Sequence, residues 1–271
     1  MSTSDAQVGQ SAPPAHLKVS GIHKRFGGVH ALRGVDFEVA RGEVMALVGD
    51  NGAGKSTLMK VLAGAHVADA GEFILDGRAV SIATPNDASR LGIQIVYQDL
   101  ALCENLDVAA NLSLGNEPVK PGWTFLPRFL RPLDSLQMEV KARAAIDRLQ
   151  VRTLASVQAR VGGLSGGQRQ AIAIARAVGA DSSVVMLDEP TAALGVAQTA
   201  QVLEVVRRLR DTGHAVVYIS HNMRDVFDVS DRICVLRQGA NVATYQTAAT
   251  NPDEIVASIT RGLDIETNHA I

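Results

Sequence analysis

The chain has 271 residues, 46% hydrophobic and 20% charged, with a formal net charge of -2. That length supports one large domain or two modest ones, the composition is that of a soluble globular protein, and the charge makes no electrostatic case for a nucleic-acid binder. The two cysteines, Cys103 and Cys234, and the seven histidines match no metal or redox spacing, and no run approaches the roughly 20 apolar residues that a bilayer requires.

In chain order, Met1–His16 is rich in Ser, Ala, Gln and Pro and has neither a basic start nor an apolar h-region. It is expected to be a disordered lead-in rather than a signal peptide. Strands are predicted at Leu17–Ile22, Val29–Leu32, Val35–Val39 and Val44–Val48. A helix follows from Leu58, then strands at Gly71–Leu75 and Ile93–Tyr97 around a short helix at Asn86–Leu91. Val108–Leu114 reads as helix, the proline-bearing Gly115–Pro132 as irregular, and Leu136–Leu149 as helix. Beyond it, Val184–Leu187, Ala215–Ile219, Ile233–Leu236 and Val242–Tyr245 read as strands, with helices at Gln198–Arg210 and Met223–Val229. This alternation argues for a parallel sheet with both faces covered. An all-helical insert from about Leu100 to Gly179 interrupts it. The domain is expected to span Leu17 to Gly262, leaving Leu263–Ile271 as a tail.

The run Gly49-Asp50-Asn51-Gly52-Ala53-Gly54-Lys55-Ser56-Thr57 carries the chemistry. Two glycines, Gly49 and Gly54, with four residues between them, then Lys and Ser, form the phosphate-binding P-loop pattern between an apolar strand and a helix. Glycines let successive backbone N–H groups point at phosphate oxygens, and the helix N-terminus favours anions. Lys55 would reach the β- and γ-phosphates, and Ser56 would offer its hydroxyl to Mg²⁺. Val184–Leu187 ends in Asp188-Glu189. Behind a P-loop, Asp188 would hold Mg²⁺ and Glu189 would stand where an attacking water needs a base. Leu164-Ser165-Gly166-Gly167-Gln168 reads as a helix start capped by Ser165, which is also a phosphate site.

These motifs, in this order and at these separations, resemble the nucleotide-binding subunits of ABC transporters over about Leu17 to Arg261. The resemblance implies an α/β fold: a P-loop NTPase, RecA-like core with an antiparallel β-subdomain and an inserted α-helical subdomain. It implies that Phe26 stacks on adenine, that Gln98 senses Mg²⁺ and the attacking water, and that His221 contacts the γ-phosphate. Glu189, His221, Gln98 and Lys55 would be the catalytic set, with Ser56, Gln98 and Asp188 around Mg²⁺. Residues 49–57 and Ser165, Gly166, Gly167 and Gln168 would bind ATP, Ser165 and Gly167 reaching the γ-phosphate held by the other protomer of a homodimer. Gly195 departs from the family, which carries a carboxylate there. The Tyr97-Gln98-Asp99-Leu100 and Ala192-Ala193-Leu194-Gly195-Val196 runs are similar to ATPases of ribose-, xylose- and fructose-type importers. The partners implied are a transmembrane permease and, indirectly, an extracytoplasmic sugar-binding protein, with the chain peripheral on the cytoplasmic face of the inner membrane. The alternatives are a soluble ABC ATPase uncoupled from transport and a weakly hydrolysing regulatory subunit.

Overall fold

A computed structural model of the chain describes residues 14–261 apart from 124, 125, 128, 129, 152 and 179–181. Two sheets organise it. The first joins β1 (Ala15–Phe26), β2 (Val29–Ala40), β4 (Ala70–Leu75) and β5 (Arg78–Val80), all antiparallel, in the order β2-β1-β4-β5. The second is six-stranded, in the order β10-β9-β3-β8-β7-β6, built from β3 (Val44–Val48), β6 (Ile93–Val96), β7 (Val184–Asp188), β8 (Ala215–Ile219), β9 (Arg232–Arg237) and β10 (Ala240–Gln246). Its strands run parallel except β10, which returns antiparallel against β9 at the edge.

The apolar strand runs are continuous because this sheet is covered on both faces. Side chains alternate across it with period two. Val44, Ala46, Val185, Leu187, Val216 and Tyr218 join one core, with α5 (Gly166–Ala177), α6 (Val196–Asp211), α7 (Met223–Val229) and α8 (Pro252–Arg261). Met45, Leu47, Val184, Met186, Val217 and Ile219 join the other, with α1 (Lys55–Leu62) and the antiparallel sheet. Each fully buried aliphatic side chain of this kind contributes about 1.5–3 kcal/mol. Two cores on one sheet therefore fix the strand ends, where the site lies.

Between β6 and β7 run α3 (Val108–Ser113), α4 (Ser135–Arg148) and α5, packed on one another. The segment is not purely helical, since isolated bridges pair Asp107 with Arg160 and Val119 with Leu133. The short α2 (Pro85–Arg90) precedes β6, opened by a capping box between Thr84 and Asp87. Among the described residues no helix is long and apolar enough to cross a membrane.

Several boundaries differ from expectation. β1 begins at Ala15 and His16 is buried at 2% exposure, so these two residues are not part of the lead-in expected over Met1–His16, and residues 1–13 lie outside the described residues. Val29–Leu32 and Val35–Val39 are one strand, with Gly34, at φ 79°, taken up as an irregularity in the pairing with β1 beside the His23 ring. The expected tail, 263–271, also lies outside the described residues.

Candidate functional site

β3 delivers the chain into a loop, residues 49–54, that feeds α1. At Gly49 a Cβ would stand 2.3 Å from the Leu236 carbonyl oxygen of β9. At Gly54, φ 103°, it would meet the Ala31 carbonyl oxygen of β2 at 3.0 Å. The loop is wedged so tightly between the two sheets that only glycine fits at these points. The β9–β10 turn locks it from outside: Gly239 N donates to Ala53 O at 2.9 Å, and Arg33 N donates to Gly239 O at 2.7 Å.

Lys55, the first residue of α1, donates from Nζ to the carbonyls of Gly49 at 2.7 Å and Asp50 at 3.0 Å. Burial holds its ammonium below the usual lysine range, against the opposing charges of Glu189, Asp50 and Asp188. Asp188 ends β7, paired with Ile219 of β8. Burial pushes its carboxyl above the usual range and the adjacent Glu189 adds to this, while Lys55 and Lys60 pull the other way. Glu189 adopts a left-handed φ of 50° and its N–H donates to Ile219 O at 3.0 Å. One Glu189 carboxylate oxygen lies 2.5 Å from His221 Nδ1.

A cleft of about 680 Å³ opens over this loop. Residues 51–57, Gln98, Asp188 and Glu189 line it, so the glycine loop, the segment after β6 and the end of β7 converge on one space. A helix N-terminus behind a glycine loop and a lysine suit phosphate oxygens. The Ser56 hydroxyl, the Gln98 amide and the half-buried Asp188 carboxylate suit a hard divalent cation. Among the described residues no group of three His, Cys, Asp or Glu side chains is placed to hold a metal by itself. The oxygen donors present therefore fit a magnesium ion that completes its shell from phosphates and water, and not a self-sufficient metal centre.

Other sequence-expected residues lie outside that lining. Gly49 and Asp50 meet it through their carbonyls on Lys55. Phe26 ends β1 opposite Val29, which does line the cleft. Its ring is 43% exposed, edge-on to His66 at 5.1 Å, with Lys24 Nζ 5.5 Å from its centre. Phe26 is thus a surface ring beside the cleft rather than a core residue. Ser165 caps α5 and shares a capping box with Gln168, whose side-chain amide also donates to Thr153 O at 2.6 Å. A Cβ at Gly166 would stand 2.7 Å from Leu194, and one at Gly167 would stand 3.1 Å from Gln198 Cβ. These glycines seat α5 on the start of α6, away from the cleft of their own chain. At Gly195 a Cβ would meet nothing within 4 Å, so space does not demand glycine there.

The sequence reading missed His30, Arg33 and Gln238, which line the cleft from β2 and the β9–β10 turn. They belong to no local pattern; only the Gln238-Gly239 pair between two strands marked a turn.

Comparison with known proteins places this geometry. The family model described as "ABC transporter" matches residues 32–192. The chain is 43% identical to the fructose import ATP-binding protein of Rhizobium meliloti, over 90% of this chain and 93% of that protein. It is 41% identical to the xylose/arabinose import ATP-binding protein of Sulfolobus acidocaldarius, with the same coverage. The ribose import ATP-binding protein of Yersinia pestis is 43% identical, but the match spans only 45% of its length. Among solved structures, a nucleotide-free ATP-binding cassette from an ABC transporter superposes with a TM-score of 0.74 at 25% identity, over 91% of this chain and 95% of that one.

Proposed function

This chain belongs to the ABC transporter family, and on that premise we propose that it is the ATP-hydrolysing subunit of an importer for a simple sugar. The observation that carries the reading is the single cleft in which Lys55, Ser56, Gln98, Asp188 and Glu189 meet. The sugar class rests on the names of relatives whose likeness extends over nearly the whole of both chains.

The residues divide the work as follows. N–H groups of residues 51–57 and the start of α1 hold the phosphates, with Lys55 on the β- and γ-groups. Ser56, Gln98 and Asp188 would hold the magnesium that accompanies ATP, which would offset charge on the transferred phosphoryl group. Glu189 accepts a proton from the attacking water, and His221, beside that carboxylate, contacts the γ-phosphate and helps position the water. Phe26 takes the adenine ring. Ser165, Gly166, Gly167 and Gln168 stand apart from their own cleft and close over the γ-phosphate of a second copy, so the working unit is a homodimer.

Closure is transmitted along α5. Arg169 pairs with Glu104 at 2.9 Å, and Arg176 donates to the carbonyls of Leu100 and Ala101 at 2.8 Å each. The helix that starts at Ser165 thereby grips the segment following Gln98 at two points. That segment meets a transmembrane permease, fed by an extracytoplasmic sugar-binding protein, with this chain peripheral on the cytoplasmic face of the inner membrane.

The test is uptake of radiolabelled fructose, xylose and ribose in cells lacking this chain, complemented by the unsubstituted chain or by Lys55→Ala. Restored uptake of at least one sugar by the former and not the latter is expected. Uptake of all three that is indifferent to the chain would overturn the sugar assignment, and absence of ATP turnover by the purified chain would overturn the enzymatic one.

A further inference from the structure

The base Glu189 sits in a backbone conformation that L side chains rarely adopt, φ 50°, and Ala193, four residues on, has φ 59°. Such conformations cost on the order of 1–3 kcal/mol each and persist only where their surroundings hold them. Three backbone bonds contribute: Glu189 N donates to Ile219 O, Ala192 N to Glu189 O and Leu194 N to Thr191 O. Besides the Glu189–His221 contact, the Thr191 side chain ties the loop to its surroundings. Thr191 Oγ1 donates to Asp225 Oδ2 at 2.7 Å and lies 3.4 Å from the Tyr218 hydroxyl.

Asp225 is 4% exposed and Tyr218 is fully buried. Burial, chiefly, pushes the Tyr218 phenol up to about 12. A buried carboxylate is costly unless its oxygens are bonded, so Asp225 has a strong requirement for the Thr191 hydroxyl. Asp225 lies in the first turn of α7, three residues after the Asn222 cap and four after His221. Tyr218 lies on β8, three residues before His221. The Thr191–Asp225 bond therefore joins the loop that carries Glu189 to the element that follows His221, from beneath, while the Glu189–His221 contact joins the same two segments at the open face.

We infer that Thr191 and Asp225 are positioning residues for hydrolysis: their bond holds Glu189 in its strained orientation and in register with His221. Neither side chain lines the cleft, so they act on the base and not on ATP. The inference rests on Glu189 being the base of an ATPase.

Thr191→Val is the informative substitution, because it keeps shape and removes only the donor. Replacing Asp225 by Ala would instead remove a buried side chain from the first turn of α7 and threaten the fold. In the purified full chain, Thr191→Val is expected to lower kcat about tenfold or more, as for a lost bond to a charged group, with the KM for ATP within about twofold. Thr191→Ser, which retains the hydroxyl, recovers most of that loss. In a Glu189→Gln background Thr191→Val should lower the residual turnover no further, since the hydroxyl acts through Glu189. An unchanged kcat for Thr191→Val, or an equal fractional loss with and without Glu189, would overturn the inference. Failure of the function itself looks different: the unsubstituted chain would not turn over ATP, or Glu189→Gln would hydrolyse at its rate.

Discussion

His221 Nδ1 lies 2.5 Å from a carboxylate oxygen of Glu189, although the two residues sit on loops after different strands, β7 and β8. The pairing of those strands, Asp188 against Ile219, brings the loops together. The His221 side chain is 75% exposed and that of Glu189 21%, so the contact stands at the open side of the cleft, where a closing partner would cover it.

Glu189→Gln keeps the shape and removes the base. Turnover is expected to fall by at least ~100-fold, the usual contribution of a general base, while ATP binding, measured by equilibrium dialysis, is retained. Lys55→Ala should do the reverse and weaken binding first. Wild-type turnover by Glu189→Gln would assign the base elsewhere.

Phe26 presents an exposed ring beside the cleft. Removing it in Phe26→Ala should raise the KM for ATP several-fold, in line with the ~1–3 kcal/mol of a base–aromatic stack. The kcat should change less, and Phe26→Trp should be tolerated. An unchanged KM would leave Phe26 as a partner of His66 and Lys24 only.

A stability effect is expected at His214, between α6 and β8, whose Nδ1 lies 3.2 Å from Leu209 O and 3.0 Å from Thr212 Oγ1. Burial lowers its pKa, Arg148 and Arg41 lower it further, and the Leu209 carbonyl opposes them. The folded state thus binds the proton less readily than the unfolded chain. Its contribution is complete above the ordinary histidine value and is lost as pH falls through that value towards the lowered one. Between about pH 7 and about pH 5, the Tm of the unsubstituted chain should drop more than that of His214→Asn. Parallel Tm curves would remove His214 from the account.

What was legible in the sequence follows from what is local. β3, the glycine loop and α1 declare themselves because an apolar run, spaced glycines and a lysine are adjacent. α5 does so because Ser165 and Gln168 form a capping box within four residues. β5 has three residues, none of them buried, and offered no pattern. α8 was missed although Pro252 opens it and Asp253 and Glu254 occupy its first turn; its pattern was too short beside the tail to be separated from it. The antiparallel return of β10 was hidden because strand spacing does not encode direction. His30, Arg33 and Gln238 reach the cleft through the packing of one sheet on the other, and Thr191 finds Asp225 across 34 residues, so neither could be read from spacing. Phe26, Gln98 and His221 were given their roles by family resemblance alone.

The central claim is that Ser165–Gln168 of one chain completes the cleft of another, and trapping in a defined heterodimer tests it most directly. One tagged chain carries Lys55→Ala and the other Ser165→Arg, both in a Glu189→Gln background so that bound ATP persists. In a head-to-tail dimer one cleft receives both lesions and the other receives none, whereas chains that built their own sites would leave no sound cleft in any mixture. The doubly purified heterodimer should occlude about one ATP per two chains, and each homodimer none. A stable heterodimer that traps no nucleotide would contradict the shared site.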